Sequence, residues 1–373
     1  MELVVRKNDL LRELQLFQGI VERKNTIPIL ANVLMEAKGD EVRFLATDLE
    51  VALRSKCSAS VIKPGTVTLP AKKLYEIVKS LPDTDIRIGE DKNGVKVAAD
   101  RFDSRMQTLP KEDFPTLPES AGASTAMLPR NALKEMVAKT QFAITGEDTR
   151  YFLNGAQFIL RPDSMSLVAT DGHRLALVTA GREGNAAKAA SGEEEIKAIL
   201  PKKTLGELAR LLAEGDGDIS YERGENHLFF TVGGRLLISR MIDGQFPAYE
   251  RVIPKLNDKH IEFERDRLTN AVKRVALLSN ERSRAVKFQI EKGKVDVTSS
   301  SPDLGEARET LPVDYSGPSL QICFNAQYVL DFLAAVSTDV VSLELKDEVS
   351  QAVMKPIGAE GYDYTYVIMP MRV

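Results

Sequence analysis

Asp171 and His173 lie two residues apart in the run Thr170-Asp171-Gly172-His173-Arg174, the pairing in this chain that most invites an acid–base reading. A general acid and a general base must face one substrate from defined positions, and two neighbours on a strand that ends in a turn do not. Asp followed by Gly in such a run is first of all a turn signature, because Asp accepts from the backbone ahead of it and Gly supplies positive φ. An enzyme using Asp171 and His173, or Asp48 in the related run Thr47-Asp48-Leu49-Glu50, stays open as an alternative. It would require a metal or a nucleotide, and the sequence supplies neither pattern. Cys57 and Cys323 are far apart, and there is no CxxC or Cys/His cluster with zinc spacing. No Gly-rich phosphate loop and no aromatic RNA-binding signature occurs. No catalytic residue, no metal and no cofactor is therefore expected. Two lone cysteines and no apolar leader after Met1 fit a reducing, cytoplasmic setting, and no stretch approaches the ~18 apolar residues of a membrane span.

The elements that position these residues recur three times. The segments 69–82, 200–213 and 324–337 each carry a helical stripe: Leu74/Ile77/Val78/Leu81, Leu205/Leu208/Ala209/Leu212 and Val329/Phe332/Leu333/Val336. An acid repeats with them, at Glu76, Glu207 and Asp331. A strand leading into a helix also recurs: Val4-Val5 before 8–21, Met127-Leu128 before 131–144, and Ile261-Phe263 before 266–278. The strand-and-turn Ala46-Thr47-Asp48 returns as Ala169-Thr170-Asp171, and in changed form as Thr298-Ser299-Ser300. Alternating runs such as Val42–Leu45, Val95–Ala99, Phe229–Val232 and Val295–Thr298 read as half-buried strands. The expectation is an α+β chain of three tandem similar domains, 1–119, 124–254 and 259–373, each with two helices on an antiparallel sheet. The Pro-containing segments Asp113–Pro118 and Gln245–Tyr249 read as stiff extended connectors, and 182–195 as a flexible loop.

Charge is segregated along this pattern. The chain holds 50 Lys+Arg and 54 Asp+Glu, a formal charge of −4. The six expected helices, 8–24, 69–81, 130–140, 201–213, 265–276 and 325–336, hold 16 basic and 8 acidic residues, leaving 34 basic and 46 acidic residues elsewhere. A helical layer near +8 inside a chain of net −4 is the footprint of phosphate attraction. Lys72 and Lys203 occupy equivalent positions off the apolar stripe, as do Lys79 and Arg210; the third copy has Gln327 and Ala334 there. Without base-reading groups, such a surface attracts the backbone of DNA without reading its sequence. Solvation of ordinary helix faces is the alternative for any single helix.

Over its whole length the chain resembles the bacterial DNA polymerase III beta subunit, the replicative sliding clamp. The strings that carry the resemblance include Thr26-Ile27-Pro28-Ile29-Leu30, Arg150-Tyr151-Phe152-Leu153-Asn154-Gly155, Ala169–Ala176, Gly244-Gln245-Phe246-Pro247, Leu278-Ser279-Asn280-Glu281, Tyr328-Val329-Leu330-Asp331 and Tyr366–Val373. The resemblance implies a non-catalytic clamp fold: half of a closed ring per chain, a head-to-tail homodimer, helices lining the hole and double-stranded DNA inside it. It implies as partners the DNA polymerase III alpha subunit, the clamp-loader complex, and other DNA polymerases and repair proteins that dock through a short peptide motif. A scaffold that binds proteins without enclosing DNA is the competing non-enzymatic reading.

The resemblance also assigns residues. DNA contacts map to Arg23, Lys24, Lys72, Lys73, Lys202 and Lys203, with Lys79 and Arg210 added by the charge pattern. The peptide cleft maps to Leu153, Thr170, Gly172, His173, Arg174, Leu175, Pro247, Arg251 and Val252. Across the boundary to the third domain it continues with Asn325, Tyr328, Val349, Val367, Met369, Pro370, Met371 and Arg372. Its Leu, Val, Pro and Met side chains offer an adaptable apolar lining, and Arg174 and Arg372 are expected to anchor polar or carboxylate groups of the peptide. The dimer contact maps to Arg101, Phe102 and Met106 on one edge, and to Leu277, Leu278, Glu306 and Glu309 on the other. The acids Glu147 and Asp148 stand where some relatives carry polar or basic DNA contacts, so a DNA contact there is in doubt.

Overall fold

In each repeat a strand runs directly into a helix, twice. Glu2–Arg6 leads into α1 (Lys7–Phe17), and Gly65–Pro70 into α2 (Ala71–Ser80). Thr125–Leu128 precedes α3 (Arg130–Thr140), and Ile196–Pro201 leads into α4 (Lys202–Leu212). Lys259–Glu264 leads into α5 (Arg265–Ala276), and Leu320–Asn325 into α6 (Ala326–Ala335). The computed structural model describes residues 1–21, 26–120, 125–182 and 195–372. The expected flexible loop at 182–195 therefore falls mostly outside the described residues.

The helix starts follow from chemistry at the junction. Pro70 and Pro201 end their strands, and their fixed φ suits the position just before a helix. Asn325 does the same work with its side chain, which accepts from the Gln327 N–H at 2.9 Å. The apolar stripes are buried: Leu74 and Val78, Leu205, Leu208 and Leu212, and Val329, Phe332 and Leu333. Each such side chain contributes about 1.5–3 kcal/mol by leaving water.

One helix is shorter than the sequence suggests. The stripe Leu10, Leu14, Phe17 and Val21 reads as a helix to residue 24, but α1 stops at Phe17. Ile20 and Val21 then bond back to the Phe17 carbonyl at 3.1 Å each. Gly19, within this turn, leaves no room for a side chain: a Cβ there would overlap the side chains of Glu207 and Arg210 from α4.

The sheets depart from the expectation of one sheet per repeat. Four antiparallel sheets are present among the described residues, and two of them draw strands from neighbouring repeats. In one eight-stranded sheet, Val51–Ser58 pairs with Arg235–Arg240 in the register Arg54↔Leu236 to Val51↔Ser239. In the other, Arg174–Gly181 pairs with Tyr362–Ile368 in the register Arg174↔Ile368 to Ala180↔Tyr362. The five-stranded sheet of the first repeat ends at Phe102–Met106, and the four-stranded sheet of the third ends at Gly305–Pro312. Contacts accordingly gather the chain into two compact units that cut the middle repeat. One holds Met1–Asn131 and Lys203–Met241; the other holds Ala132–Gly184, Glu194–Lys202 and Ile242–Val373.

The connectors are packed rather than merely stiff. Leu117 lies against the buried cluster of Ala52, Phe229 and Ile238 in the first unit. Phe246 and Tyr249 are core members in the second, beside Leu175, Val353 and Val367. The two cysteines are buried and unpaired, and burial pushes the Cys57 thiol up to about 12.

Several helical cations serve the fold. Arg130 is only 6 % exposed; its Nε donates to the Gly217 carbonyl at 3.1 Å and its Nη1 to the carbonyls of Leu211 (3.3 Å) and Glu214. It thereby covers the orphan carbonyls at the C-terminus of α4, where a positive charge is also favoured. Lys139 is buried, paired with Glu135, with its ammonium 4.5 Å from the centre of the Tyr362 ring. Replacing Arg130 by Met is expected to cost about 2–3 kcal/mol, because these carbonyls lose a charged donor. A thermal melt of Arg130→Met beside wild type checks this, with a visibly lower midpoint as the expected result.

Candidate nucleic-acid and partner interfaces

The Thr-Asp runs form the same turn twice. In the first repeat the Thr47 hydroxyl donates to the Val51 carbonyl (3.1 Å) and accepts from Leu49 N–H (2.9 Å). Asp48 Oδ1 accepts from the N–H groups of Glu50 and Val51 at 2.9 and 2.7 Å. In the second, Thr170 bonds the Arg174 carbonyl (2.7 Å) and Gly172 N–H (3.1 Å). Asp171 Oδ1 accepts from His173 and Arg174 N–H at 2.9 and 3.0 Å. Leu49 and Gly172 hold the left-handed position, at φ 80° and 86°. Each aspartate spends one oxygen on turn geometry, and His173 is exposed. The run Ser299–Ser301 of the third repeat remains inside the strand Lys294–Ser301.

Each aspartate has a second oxygen, and each gives it to a cation. Asp48 holds the Lys203 ammonium, which also donates to the Ile20 carbonyl at 3.2 Å. Asp171 Oδ2 accepts from Arg174 Nε at 3.0 Å. Arg174 continues to Asp331 through Nη1 and to the Phe142 carbonyl through Nη2 at 2.7 Å. Its side chain is 10 % exposed. Arg174 was expected to offer its fork to a bound peptide; here the fork is turned inward and engaged on three sides.

Around this turn the structure gathers residues from both repeats. Leu175 pairs with Val367, and Val367 with Val353, so three adjacent strands supply one apolar floor. The stretch after Ile368 is stitched down by Met369 N–H on the His173 carbonyl (2.9 Å) and Met371 N–H on the Cys323 carbonyl (2.8 Å). Of the residues named for the cleft, Gly172, His173, Pro247, Arg251, Val252, Val349, Met369 and Arg372 are exposed; Asn325, Tyr328, Pro370 and Met371 are half-buried. Leu153 and Thr170 are buried and act as support. The first repeat shows the same plan, with Arg240 N–H on the Glu50 carbonyl at 2.8 Å.

The cationic residues divide. Arg12, Lys72, Lys79 and Arg210 line one groove with Tyr75, Glu76 and Glu214. Lys72 is exposed and makes no ion pair among the described residues. Lys79 lies 5.6 Å from the centre of the Tyr75 ring, Lys73 is exposed but paired with Glu76 at 2.7 Å, and Arg210 pairs with Glu207 at 2.9 Å. Lys202 is exposed and donates to the Ile144 carbonyl at 3.1 Å. Lys203, equivalent to Lys72 in sequence, is not equivalent in setting, because Asp48 already holds it. Arg23 and Lys24 lie outside the described residues. In the loop at Glu147 and Asp148, Arg150 donates to both oxygens of Asp148 at 3.0 and 2.8 Å and holds its carboxyl at about 2.

The residues named for the dimer contact differ in exposure. Phe102 is 38 % exposed and Leu277 75 %. Arg101 and Glu306 are exposed, Leu278 is half-buried, and Met106 is buried beneath its own strand. Glu309 is taken up by Arg274 of the same chain.

Three family models, the N-terminal, central and C-terminal domains of the DNA polymerase III beta subunit, match residues 1–118, 127–248 and 250–372. A beta sliding clamp of Pseudomonas putida is 39 % identical over all of both chains, and that of Escherichia coli K12 is 34 % identical, again over all of both. Solved sliding clamps of Pseudomonas aeruginosa and Bartonella birtlesii, both bound to griselimycin, superpose over all of both chains at TM-score 0.93, with 36 % and 37 % identity. The chain belongs to the DNA polymerase III beta subunit family, the bacterial sliding clamps.

Sequence reading passed over Arg150, Phe142 and Asp331 as parts of the cleft. Asp331 was visible as the third member of a repeating acid and at the end of a recognised string, and Arg150 as part of another such string, but neither was given a role in the cleft. Arg150 lies over Gly172, where an added Cβ would meet its guanidinium at 3.3 Å. Gly172→Ala is expected to cost about 1–2 kcal/mol from left-handed strain alone. A denaturation curve of this variant, paired with that of Gly146→Ala, whose site is open, checks the difference.

Proposed function

We propose that the chain is a non-catalytic processivity clamp. Two copies close head to tail around double-stranded DNA and hold partners through the cleft beside His173. Residues 1–119, 124–254 and 259–373 are its three domains in this reading, and its working compartment is the cytoplasm. The partners are the DNA polymerase III alpha subunit, the clamp-loader complex, and other polymerases and repair proteins that carry a short peptide motif. The observation that carries the DNA reading is the groove where Arg12, Lys72, Lys79 and Arg210 converge from three helices. Cations at the ends of flexible side chains attract phosphates without fixing register, so the duplex can slide. Enclosure supplies the persistence that such weak attraction lacks.

The dimer reading rests on two of the open strand edges. Phe102–Met106 and Gly305–Pro312 each end a sheet with a row of backbone groups that no neighbouring strand uses among the described residues. Joining one to the other in a second copy satisfies both, and because the edges differ the contact is heterologous and must close to avoid a filament. The exposed Phe102 and Leu277 supply apolar area to it. The cleft offers an apolar floor with an exposed Met and Val rim, which suits a short peptide with apolar anchors. Griselimycin, carried by two of the relatives, is expected to bind this chain there.

Charge reversal tests the DNA reading. Lys72→Glu/Lys79→Glu/Arg210→Glu is expected to lower retention on nicked circular DNA after loading and to flatten the salt dependence of DNA binding by about 3 in log–log slope. Unchanged retention would favour a protein scaffold that does not enclose DNA. Lys203→Glu is expected to act first on the melting temperature, since it removes the Asp48 partner. For the dimer, Phe102→Asp/Leu277→Asp is expected to elute as a monomer at micromolar concentration in size-exclusion chromatography with light scattering. A dimer of unchanged stability in that measurement would remove these edges from the interface.

A further inference from the structure

The two equivalent turns differ in one buried charge, and that difference falls under the cleft. Arg174 reaches from the turn to helix α6, where Asp331 receives its Nη1. The other Asp331 oxygen accepts from Gln327 Nε2 at 2.7 Å. The guanidinium lies over two rings, 5.3 Å from the centre of Phe142 and 4.3 Å from that of Tyr328. The Tyr328 carbonyl in turn accepts from the Tyr366 hydroxyl at 2.9 Å. Asp331 is 21 % exposed and Asp171 15 %. A fork of this shape, gripped by two carboxylates and stacked on an aromatic face, fixes angle as well as distance.

The first repeat provides the control. Val51 stands where Arg174 stands, on a turn with the same hydrogen bonds. Glu207 occupies the place of Asp331 but pairs with Arg210 on its own helix. The helix–turn link there is made by Lys203 to Asp48, a flexible chain ending in a point charge. The plan of a cleft is thus present twice, and only one copy has the rigid brace.

We infer that the Arg174–Asp331 pair is a positioning device for the partner cleft. It sets helix α6, and with it Asn325 and Tyr328, at a fixed distance from the Leu175–Val367 floor. Arg174 then serves the ligand through Tyr328 and the turn, and not as its direct anchor. This inference rests on the reading of the cleft as the docking site. The test titrates griselimycin into full-length wild type, Asp331→Asn, Asp331→Glu, Arg174→Lys and Met369→Ala by calorimetry, with melting temperatures recorded in parallel. Asp331→Asn and Arg174→Lys are expected to weaken binding about tenfold or more, while Asp331→Glu, which keeps the carboxylate, stays within about threefold of wild type. A purely structural role would instead weaken both Asp331 variants in step with their melting temperatures, which overturns the inference. Wild-type affinity in Asp331→Asn together with a loss in Met369→Ala also overturns it while leaving the cleft reading intact. Unaltered binding in Met369→Ala, or no binding by wild type, removes the cleft reading and the inference with it. If Asp331→Asn fails to fold, Arg174→Lys decides the matter alone.

Discussion

The structure depends on how strand edges are satisfied. A strand with one side unpaired presents a row of donors and acceptors that water or another strand must fill. Here the edge Val51–Ser58 is filled by Arg235–Arg240, and Arg174–Gly181 by Tyr362–Ile368. Each junction is therefore a continuous hydrogen-bonded sheet. Repetition creates this solution, because the same edge recurs in each copy and finds a complementary strand in the next. It also leaves a remainder: the outer strands Phe102–Met106 and Gly305–Pro312 have no repeat beyond them.

The same continuity explains where the interfaces arise. At each seam a Thr-Asp turn of one repeat meets a strand end of the next, joined by one backbone hydrogen bond, Arg240 to Glu50 or Met369 to His173. The turn aspartate fixes the loop with one oxygen and recruits a cation with the other. In the first seam the cation is Lys203, which removes it from the groove at Lys72, Lys79 and Arg210. In the second it is Arg174, which ties down α6. One repeated device is put to two uses by the side chain that answers it.

Much of this was legible in the residues. Apolar stripes at helical spacing placed six helices, and period-two alternation placed strands such as Glu41–Thr47 and Lys294–Ser301, because both signals are local. The strand partners were not legible, since residues 51–58 and 235–240 say nothing locally of one another. The end of α1 was missed because the apolar stripe runs on to Val21, and the crowding at Gly19 by Glu207 and Arg210, far along the chain, has no local signal. The helical charge count was right as arithmetic but mixed roles. Arg130, Lys139 and Lys203 look like Lys72 in sequence, and only their partners reveal that they hold the fold. The cleft residues came from resemblance; Asp331 stood in one of the strings that carry it, but its pairing with Arg174 was not legible, because a braced carboxylate has no signature of its own.

The seam at Val51–Ser58 has a consequence for biosynthesis. Its partner, Arg235–Arg240, is made about 180 residues later. At synthesis rates of about 5–20 residues per second, the first strand waits on the order of 10–35 s with that edge open. During this interval the nascent first repeat exposes a row of amides beside buried residues such as Leu53 and Ala52, a surface that invites pairing with a neighbouring nascent chain. The repeats are drawn as separate beads by their sequences, yet on the ribosome the first cannot be finished until most of the second exists.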